Sequence, residues 1–364
     1  LPMTSRRYQR QGEDAMRNVY MVSGGVTKFK KAYPDKSFRL LVKEAFDYTC
    51  LDLGLTPRQL IEVIDGTVCS YFSDHFTRQL KAGSMVQDFL GLCPKPTIRV
   101  EGGGATGGLC FQTAWEKIAS GRFDICLAYG FETMSRVDTW KGNEFIALAS
   151  DTNFDFPVGG FYSGYYAMMV QRHMHEFGTT VEQMAKVSVK NHRNALYNPY
   201  AQSPMKLTVE DVRKSEMVAT PLTRLDICAM SDGAAVCLLA SKKGIKKIER
   251  ASRQDFIPVK IIGIGAGIDA MRMADRPHCG YEEFYADYAL PIEKTWETRS
   301  YYKELWKSGI RYPGVHSFRA GRMAAKKALV RTMKAIETIG VITTIATDKT
   351  GTLTTGKFIV QEIK

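Results

Sequence analysis

Residues 99–121 read RVEGGGATGGLCFQTAWEKIASG: an apolar strand end runs into three consecutive glycines and then into a helix. A strand–turn–helix of this shape displays one position at the helix N-terminus, where backbone N–H groups and the positive dipole end favour negative charge. The displayed position, Gly104, carries no side chain. The stretch therefore predicts a β–α crossover and leaves open which group reacts there.

Outward from this stretch the chain alternates strand-like and helix-like segments. On the N-terminal side, RNVYMVSGGVTKF reads as a strand and glycine turn, SFRLLVKEAFDYTCLDLGL as an amphipathic helix, and IEVIDGTVCSYF as a strand. On the C-terminal side, FDICLAYG and AAVCLLAS read as strands and TVEQMAKVSVKNHRNALYNP as a helix. This alternation predicts an α/β layered fold with a mostly parallel central sheet. Residues 131–180, rich in Gly, Asn, Asp and aromatics, break the rhythm and read as a long loop insertion of the kind that binds ligands. FIPVKIIGIGAG, from residue 256, restarts with a strand and glycine turn and reads as the opening of a second, similar unit.

The chain has 364 residues, enough for two domains or one two-lobed fold, and its 45% hydrophobic content supplies a core. No apolar run is long enough to predict a membrane span. The first 16 residues, polar and charged, read as a flexible leader without a secretion signal. The 8 cysteines are scattered, with none in a CxxC pair, which favours reduced thiols in a cytoplasmic protein. Only His278 beside Cys279 approaches a clustered metal ligand set, so no metal site is predicted.

The formal net charge is +12, with a basic run, SKKGIKKIERASR, at 241–253. It reads as a solvated face or linker, or as a contact for a polyphosphate or an acidic partner. The run holds no interleaved aromatics, which argues against nucleic acid.

Four stretches together resemble the thiolase superfamily, in the branch of sterol-carrier-protein-type thiolases and archaeal-type acetyl-CoA acetyltransferases. They are VEGGGATGG with its helix, DICLAYGFETMS, RHMHEFGTTVEQMAKVSVKNHRNALYNPYAQ, and PLTRLDICAMSDGAA with CLLAS after it. The resemblance implies two βαβαβαββ halves, residues 17–255 and 256–327, a homodimer, and a tunnel through which a coenzyme A thioester enters as substrate, with no covalently bound cofactor. It also implies, for some relatives, a small zinc-ribbon/OB-fold acyl-CoA-binding subunit as partner.

In that family the loop before the first long helix bears a cysteine whose thiolate takes the acyl group. Gly104 matches the cysteine, while Glu101, Ala105, Thr106 and Gly107 fit the surrounding pattern. Cys110, six residues on, reads as a small core residue. Related aldolases that shorten steroid side chains as CoA thioesters carry a similar GGGA stretch and need no acyl-enzyme. Gly102 and Gly103, with Gly104, are therefore expected to form either an oxyanion floor or a tight turn.

The resemblance places Cys228 and Ser231 in a loop lining the CoA tunnel, with a structural turn as the alternative, and Phe177 on the tunnel wall. His173 and His175, two apart on a helix, make a poor metal pair and read as packing residues. Tyr162, Tyr165 and Tyr166 read as aromatic packing in preference to phenolic acids.

The last segment departs from this family. AIETIGVITTIATDKTGTLTTGKF (335–358) resembles the phosphorylation region of P-type ATPases, with Asp348 at the phosphoacceptor position and Lys349 and Thr350 beside it. Residues 328–364 thus read as a tail of different origin, and the second thiolase-like half as truncated near residue 327. HDxF, NEAF and GHP motifs, which carry the family's later histidines, do not occur, and His316 precedes their expected region. A fused or truncated gene product and a join of two proteins' sequences are the alternatives; a half-built lobe exposing an apolar sheet face favours the join.

The functional expectation is an acyl-CoA acyltransferase or lyase that makes or breaks a C–C bond. The alternatives are a non-catalytic CoA-binding or scaffold subunit, and a P-type ATPase fragment.

Overall fold

The computed structural model describes residues 16–268 except positions 158 and 160. Strand β1 (Val19–Val26) leads to α1 (Phe38–Asp52) and α2 (Pro57–Val63), then to β2 (Gly66–Ser70). The short α3 (Asp74–Thr77) and α4 (Ala82–Phe89) precede β3 (Thr97–Val100), α5 (Thr106–Ala119) and β4 (Ile125–Thr133). A helical stretch follows: α6 (Thr139–Ala147), α7 (Tyr162–Phe177), α8 (Val181–Ala195) and α9 (Val209–Lys214). A small hairpin, β5 (Met217–Ala219) and β6 (Leu222–Thr223), returns the chain to β7 (Asp232–Ser241), α10 (Lys242–Ala251) and β8 (Val259–Lys260).

The central sheet has the order β3-β2-β4-β7-β1-β8. β2 pairs in parallel with β3 and β4, whereas β7 is antiparallel to both β4 and β1, and β8 is antiparallel to β1. Strands β1 to β4 therefore all run one way, and β7 and β8 run against them. With four of the six strands running one way, the result is the α/β fold with a mostly parallel sheet that the alternation of segments predicts, mixed by the antiparallel β7 and β8.

The two-residue period of a strand divides β4 between two cores. Ile125, Leu127, Tyr129 and Phe131 pack with α1 and α4 residues such as Leu41, Phe46 and Val86. Cys126 and Ala128 face the other way, onto Cys110, Ala114 and Ile118 of α5. Helix α1 starts at Ser37, whose side chain accepts from the Leu40 amide, and its buried stripe of Leu41, Val42, Ala45, Phe46 and Cys50 has helical spacing.

Several expectations change. The pair Gly24–Gly25 forms no turn; both lie within β1, where a Cβ on Gly25 would sit 1.9 Å from the Ala45 carbonyl oxygen. Glycine here lets α1 lie directly on the strand. The residues Ile61–Val63 end α2, not β2, because Pro57 and the Thr56–Gln59 capping box start a helix there. The expected loop insertion at 131–180 is largely helical, containing the end of β4, then α6 and α7. Its polar and aromatic residues cap and line those helices: Asp138 caps α6, and on α7 the Tyr162 and Tyr166 rings pack in a tilted arrangement, 5.1 Å between centroids. The basic run 241–253 is not a linker; its charged residues Lys242, Lys243, Lys246, Glu249 and Arg250 form a solvated face. It forms α10, with Ile245 and Ile248 buried. The expectations for residues 1–15 and for 269–364, including His278, Cys279, His316 and Asp348, lie outside the described residues.

Candidate active site at the carboxyl ends of three strands

In a parallel β–α–β crossover the helix runs against the strands, so its N-terminus returns to their carboxyl ends. Helix α5 connects β3 to β4 in this way. The carboxyl ends of β3, β2 and β4 thus gather the Gly102–Gly104 turn, the Tyr71–Ser73 segment and Glu132. Antiparallel β7 starts at the same end, with Asp232 opposite Thr133, so the Cys228–Ser231 approach to β7 arrives there too.

The turn itself is wound tightly. Gly103 to Ala105 form a 3-10 turn ahead of α5, and Gly103 has φ +57°, which favours glycine. The Gly102 amide donates to Thr106 Oγ1 at 3.0 Å, and Thr106 Oγ1 donates to the Gly103 carbonyl at 2.6 Å. The Gly103 amide donates to the Glu101 carboxylate. The amides of Gly102 and Gly103 are therefore engaged by this chain's own acceptors, an arrangement that fits the tight-turn alternative of the expectation. Gly104 stands outside these bonds and is solvent-exposed. A Cβ at Gly103, Gly107 or Gly108 would meet nothing within 4 Å, so the face of the helix start is open.

Cys110 sits well inside. Its thiol donates to the Val68 carbonyl at 3.3 Å and lies 3.7 Å from that of Tyr129. Burial pushes this thiol up to about 12, so it does not ionise near neutrality. Burial likewise raises Cys69 and Cys237 to about 11 and Cys50 to about 12. These are core thiols rather than substitutes for a nucleophile at Gly104.

Near the carboxyl end of β4 lies a carboxyl that the sequence reading did not single out. Glu132 Oε1 accepts from the Phe72 amide, while Oε2 is buried and has no hydrogen-bond partner among the described residues. The residue as a whole keeps a little exposure. Desolvation pushes its carboxyl up to about 8, and Asp232 adds to the rise, outweighing the Phe72 amide and Arg99. The signal was present in DICLAYGFET: an acid continues the phase of Cys126, Ala128 and Gly130 along an otherwise buried strand.

On the other side of β3, Arg99 holds the β2 end in place. Its guanidinium donates to Asp74 Oδ2 at 2.9 Å and lies 3.7 Å from the centroid of the Tyr71 ring, whose hydroxyl donates to Asp74 Oδ1 at 2.7 Å. A cleft of about 610 Å³, lined by Ser37, Phe38, Thr77, Arg78, Thr133 and Arg136, opens on the α1 side of the sheet. It lies across the sheet from α5.

The other sequence-predicted residues are scattered. Cys228 is exposed, and Ser231 is partly buried with its hydroxyl donating to the Ala229 carbonyl at 3.3 Å. Phe177 is the last residue of α7, before left-handed Gly178. Chain topology brings Cys228 and Ser231 to the strand ends. His173 Nδ1 lies 2.7 Å from Thr179 Oγ1, His175 is exposed, and Tyr165 donates to Ser150 at 3.0 Å. Among the described residues no three His, Cys, Asp or Glu side chains converge on a metal position. No helix of the described residues is long and apolar enough to cross a membrane.

Comparison with known proteins adds the family. The chain is 42% identical over 224 residues to the acetyl-CoA acetyltransferase of Methanothermobacter thermautotrophicus, covering 62% of this chain and 57% of that protein. It is 32% identical over 235 residues to the benzoylsuccinyl-CoA thiolase subunit BbsB of Thauera aromatica, covering 64% and 57%. The chain thus spans well under two thirds of these relatives' length. Among solved structures, the Ltp2-ChsH2(DUF35) aldolase superposes with a TM-score of 0.57 at 24% identity, covering 75% of this chain and 70% of that one, a likeness of fold. The thiolase N-terminal domain family matches residues 19–243, β1 through the start of α10, and the chain belongs to the thiolase family.

Proposed function

We propose that the protein acts on a coenzyme A thioester, making or breaking a C–C bond beside the thioester carbonyl without forming an acyl-cysteine. One observation carries the reading: the α5 N-terminus lies at three strand ends with an exposed glycine, Gly104, while Cys110 is locked in the core. Acyl transfer through a covalent intermediate needs a thiolate at this point. Cleavage of the retro-aldol type needs a base and stabilisation of an enolate oxygen, which a helix N-terminus favours.

The thiolase and acetyl-CoA acetyltransferase relatives support the thioester as substrate, and the aldolase relative supports the nucleophile-free route. Cys228 and Ser231 are placed by this reading beside the pantetheine arm, and Phe177 on the channel wall. A homodimer in the cytoplasm is part of the proposal, and the described cysteines, all free thiols, are consistent with a reducing compartment.

Incubating the purified full chain with a β-hydroxyacyl-CoA and a β-ketoacyl-CoA tests it. The expected result is cleavage of the hydroxy substrate that survives iodoacetamide, with no acyl adduct in the intact mass. An acylated cysteine, or turnover abolished by alkylation, would overturn it.

A second reading, a non-catalytic CoA-binding or scaffold subunit, is favoured by the same Gly104. The aldolase relative carries a second component, ChsH2(DUF35), in its name, in keeping with a small zinc-ribbon/OB-fold acyl-CoA-binding partner. Acyl-CoA binding without turnover, and turnover only when a partner subunit is added, distinguishes this reading from the first.

A further inference from the structure

We propose that the Glu132 carboxyl is an oxyanion donor of the acyl site, presenting its O–H to the thioester carbonyl oxygen alongside the Gly104 amide. The inference rests on the thioester reading above and assigns a residue that reading does not use.

Three features place Glu132 there. First, face: alternation along β4 puts Glu132 on the side of Cys126 and Ala128, which pack against α5, and away from Tyr129 and Phe131. Second, level: the contact of Cys110 Sγ with the Tyr129 carbonyl, 3.7 Å, fixes where α5 crosses β4. From that crossing Gly104 lies six residues back along an antiparallel helix, roughly 9 Å toward the strand ends. Glu132 lies three residues forward along the strand, roughly 10 Å in the same direction. Helix start and carboxyl therefore reach the same height on the same face. Third, valence: Oε1 is satisfied by the Phe72 amide, whereas Oε2 is buried without a partner among the described residues. A buried polar atom left unpaired is costly, so it calls for an occupant that hydrogen-bonds.

The chemistry of that occupant follows from the surroundings. Asp232 on β7 opposes ionisation of Glu132, Arg99 on β3 favours it, and desolvation dominates both. A carboxyl that stays protonated at neutral pH is a donor, so it selects a neutral or developing-anion acceptor and rejects a second carboxylate. A thioester oxygen fits: as the Cα–Cβ bond breaks, its electron pair stays on the α-carbon and delocalises onto that oxygen. The β-carbon becomes a carbonyl whose hydroxyl proton passes to water, and the hydrogen bond to the charged oxygen strengthens. The proton remains on Glu132 throughout. This donor also replaces the Gly102 and Gly103 amides, which are engaged by Thr106 and Glu101.

The test compares acetyl-CoA with its thioether, S-ethyl-CoA, by calorimetry on the full-length protein from pH 6 to 9.5. The two ligands differ only at the carbonyl. Wild type is expected to prefer the thioester by about tenfold below pH 7 and to lose the preference above pH 9. Glu132→Gln, a permanent N–H donor of the same shape, keeps the preference at every pH. Glu132→Leu abolishes it while still binding the thioether, and far-UV circular dichroism confirms that both variants fold. A pH-independent preference in wild type and Glu132→Gln alike, or an unchanged preference in Glu132→Leu, overturns the assignment while leaving the thioester site standing. Failure to bind either ligand overturns both readings.

Discussion

Two carboxylates bracket β4, and their surroundings are opposite. Asp124, just before the strand, is surrounded by donors: Ser241 Oγ at 3.1 Å, Lys247 Nζ at 3.1 Å, Lys243 Nζ at 3.2 Å and Arg17 at 3.4 Å. Burial works to raise its carboxyl, but the hydrogen bonds from Lys247, Lys243 and Ser241 outweigh it and hold the group below its ordinary value. Glu132, near the other end, has one backbone donor, an orphan oxygen and a carboxyl pushed up to about 8. The steric contrast runs the same way. A Cβ on Gly244 would meet the Asp124 carbonyl oxygen at 2.2 Å, whereas one on Gly107 would meet nothing within 4 Å. One end of the sheet is closed and electrostatically satisfied; the other is open and holds an unpaired acid. A fold supports a site by filling one end and leaving room at the other.

The largest break in this contrast comes from Gly244→Val, which forces α10 off the backbone at Asp124 and is expected to cost about 3 kcal/mol. Denaturant melts would show this as a lower midpoint with an unchanged slope. Next, Asp124→Ala strips Lys243, Lys247 and Ser241 of their shared acceptor and is expected to cost about 2 kcal/mol. Because the folded state holds Asp124 below its ordinary value, the stability it contributes is present above pH 4 and lost as pH falls through the folded value. The Asp124→Ala penalty should therefore shrink in acid melts.

Glu132 gives the opposite sign. Its carboxyl rises from 4.5 to about 8 on folding, so the folded state binds more protons between those values, and stability declines as pH climbs through that window. Glu132→Gln should remove the decline and raise the unfolding midpoint at pH 8.5 by about 2–4 °C. Smallest is Gly107→Ala, which replaces a helical glycine facing open space and should add about 0.5 kcal/mol of stability. If that methyl also weakens acetyl-CoA binding, the open face is where the thioester sits; unchanged binding would separate the two.

Much of this was legible in the text of the chain. Strand and helix periods, the glycine turn and the run into α5 lie within short stretches of sequence, and short stretches carry periodicity. Gly104 as the position without a nucleophile followed from the same lines. The misread segments show where local signals fail. Gly24–Gly25 looked like a turn because glycine's freedom is visible in sequence, while the reason for it here, the Ala45 backbone pressed against β1, is not. The basic run is solvated as its composition suggests, but its contact with Asp124 is invisible in the text, because that acceptor is more than a hundred residues away along the chain.

The sequence by itself determined the α/β character, the crossover at residues 99–121 and a glycine, Gly104, at its apex, since each depends on residues close together in the chain. Only the tertiary structure decided which glycine amides are engaged, which carbonyls the Cys110 thiol meets, and that Glu132 carries a buried oxygen without a partner among the described residues. Those facts depend on strand register and helix crossing. Register is set by packing across the whole sheet, where a shift of one residue would turn Glu132 to the opposite side.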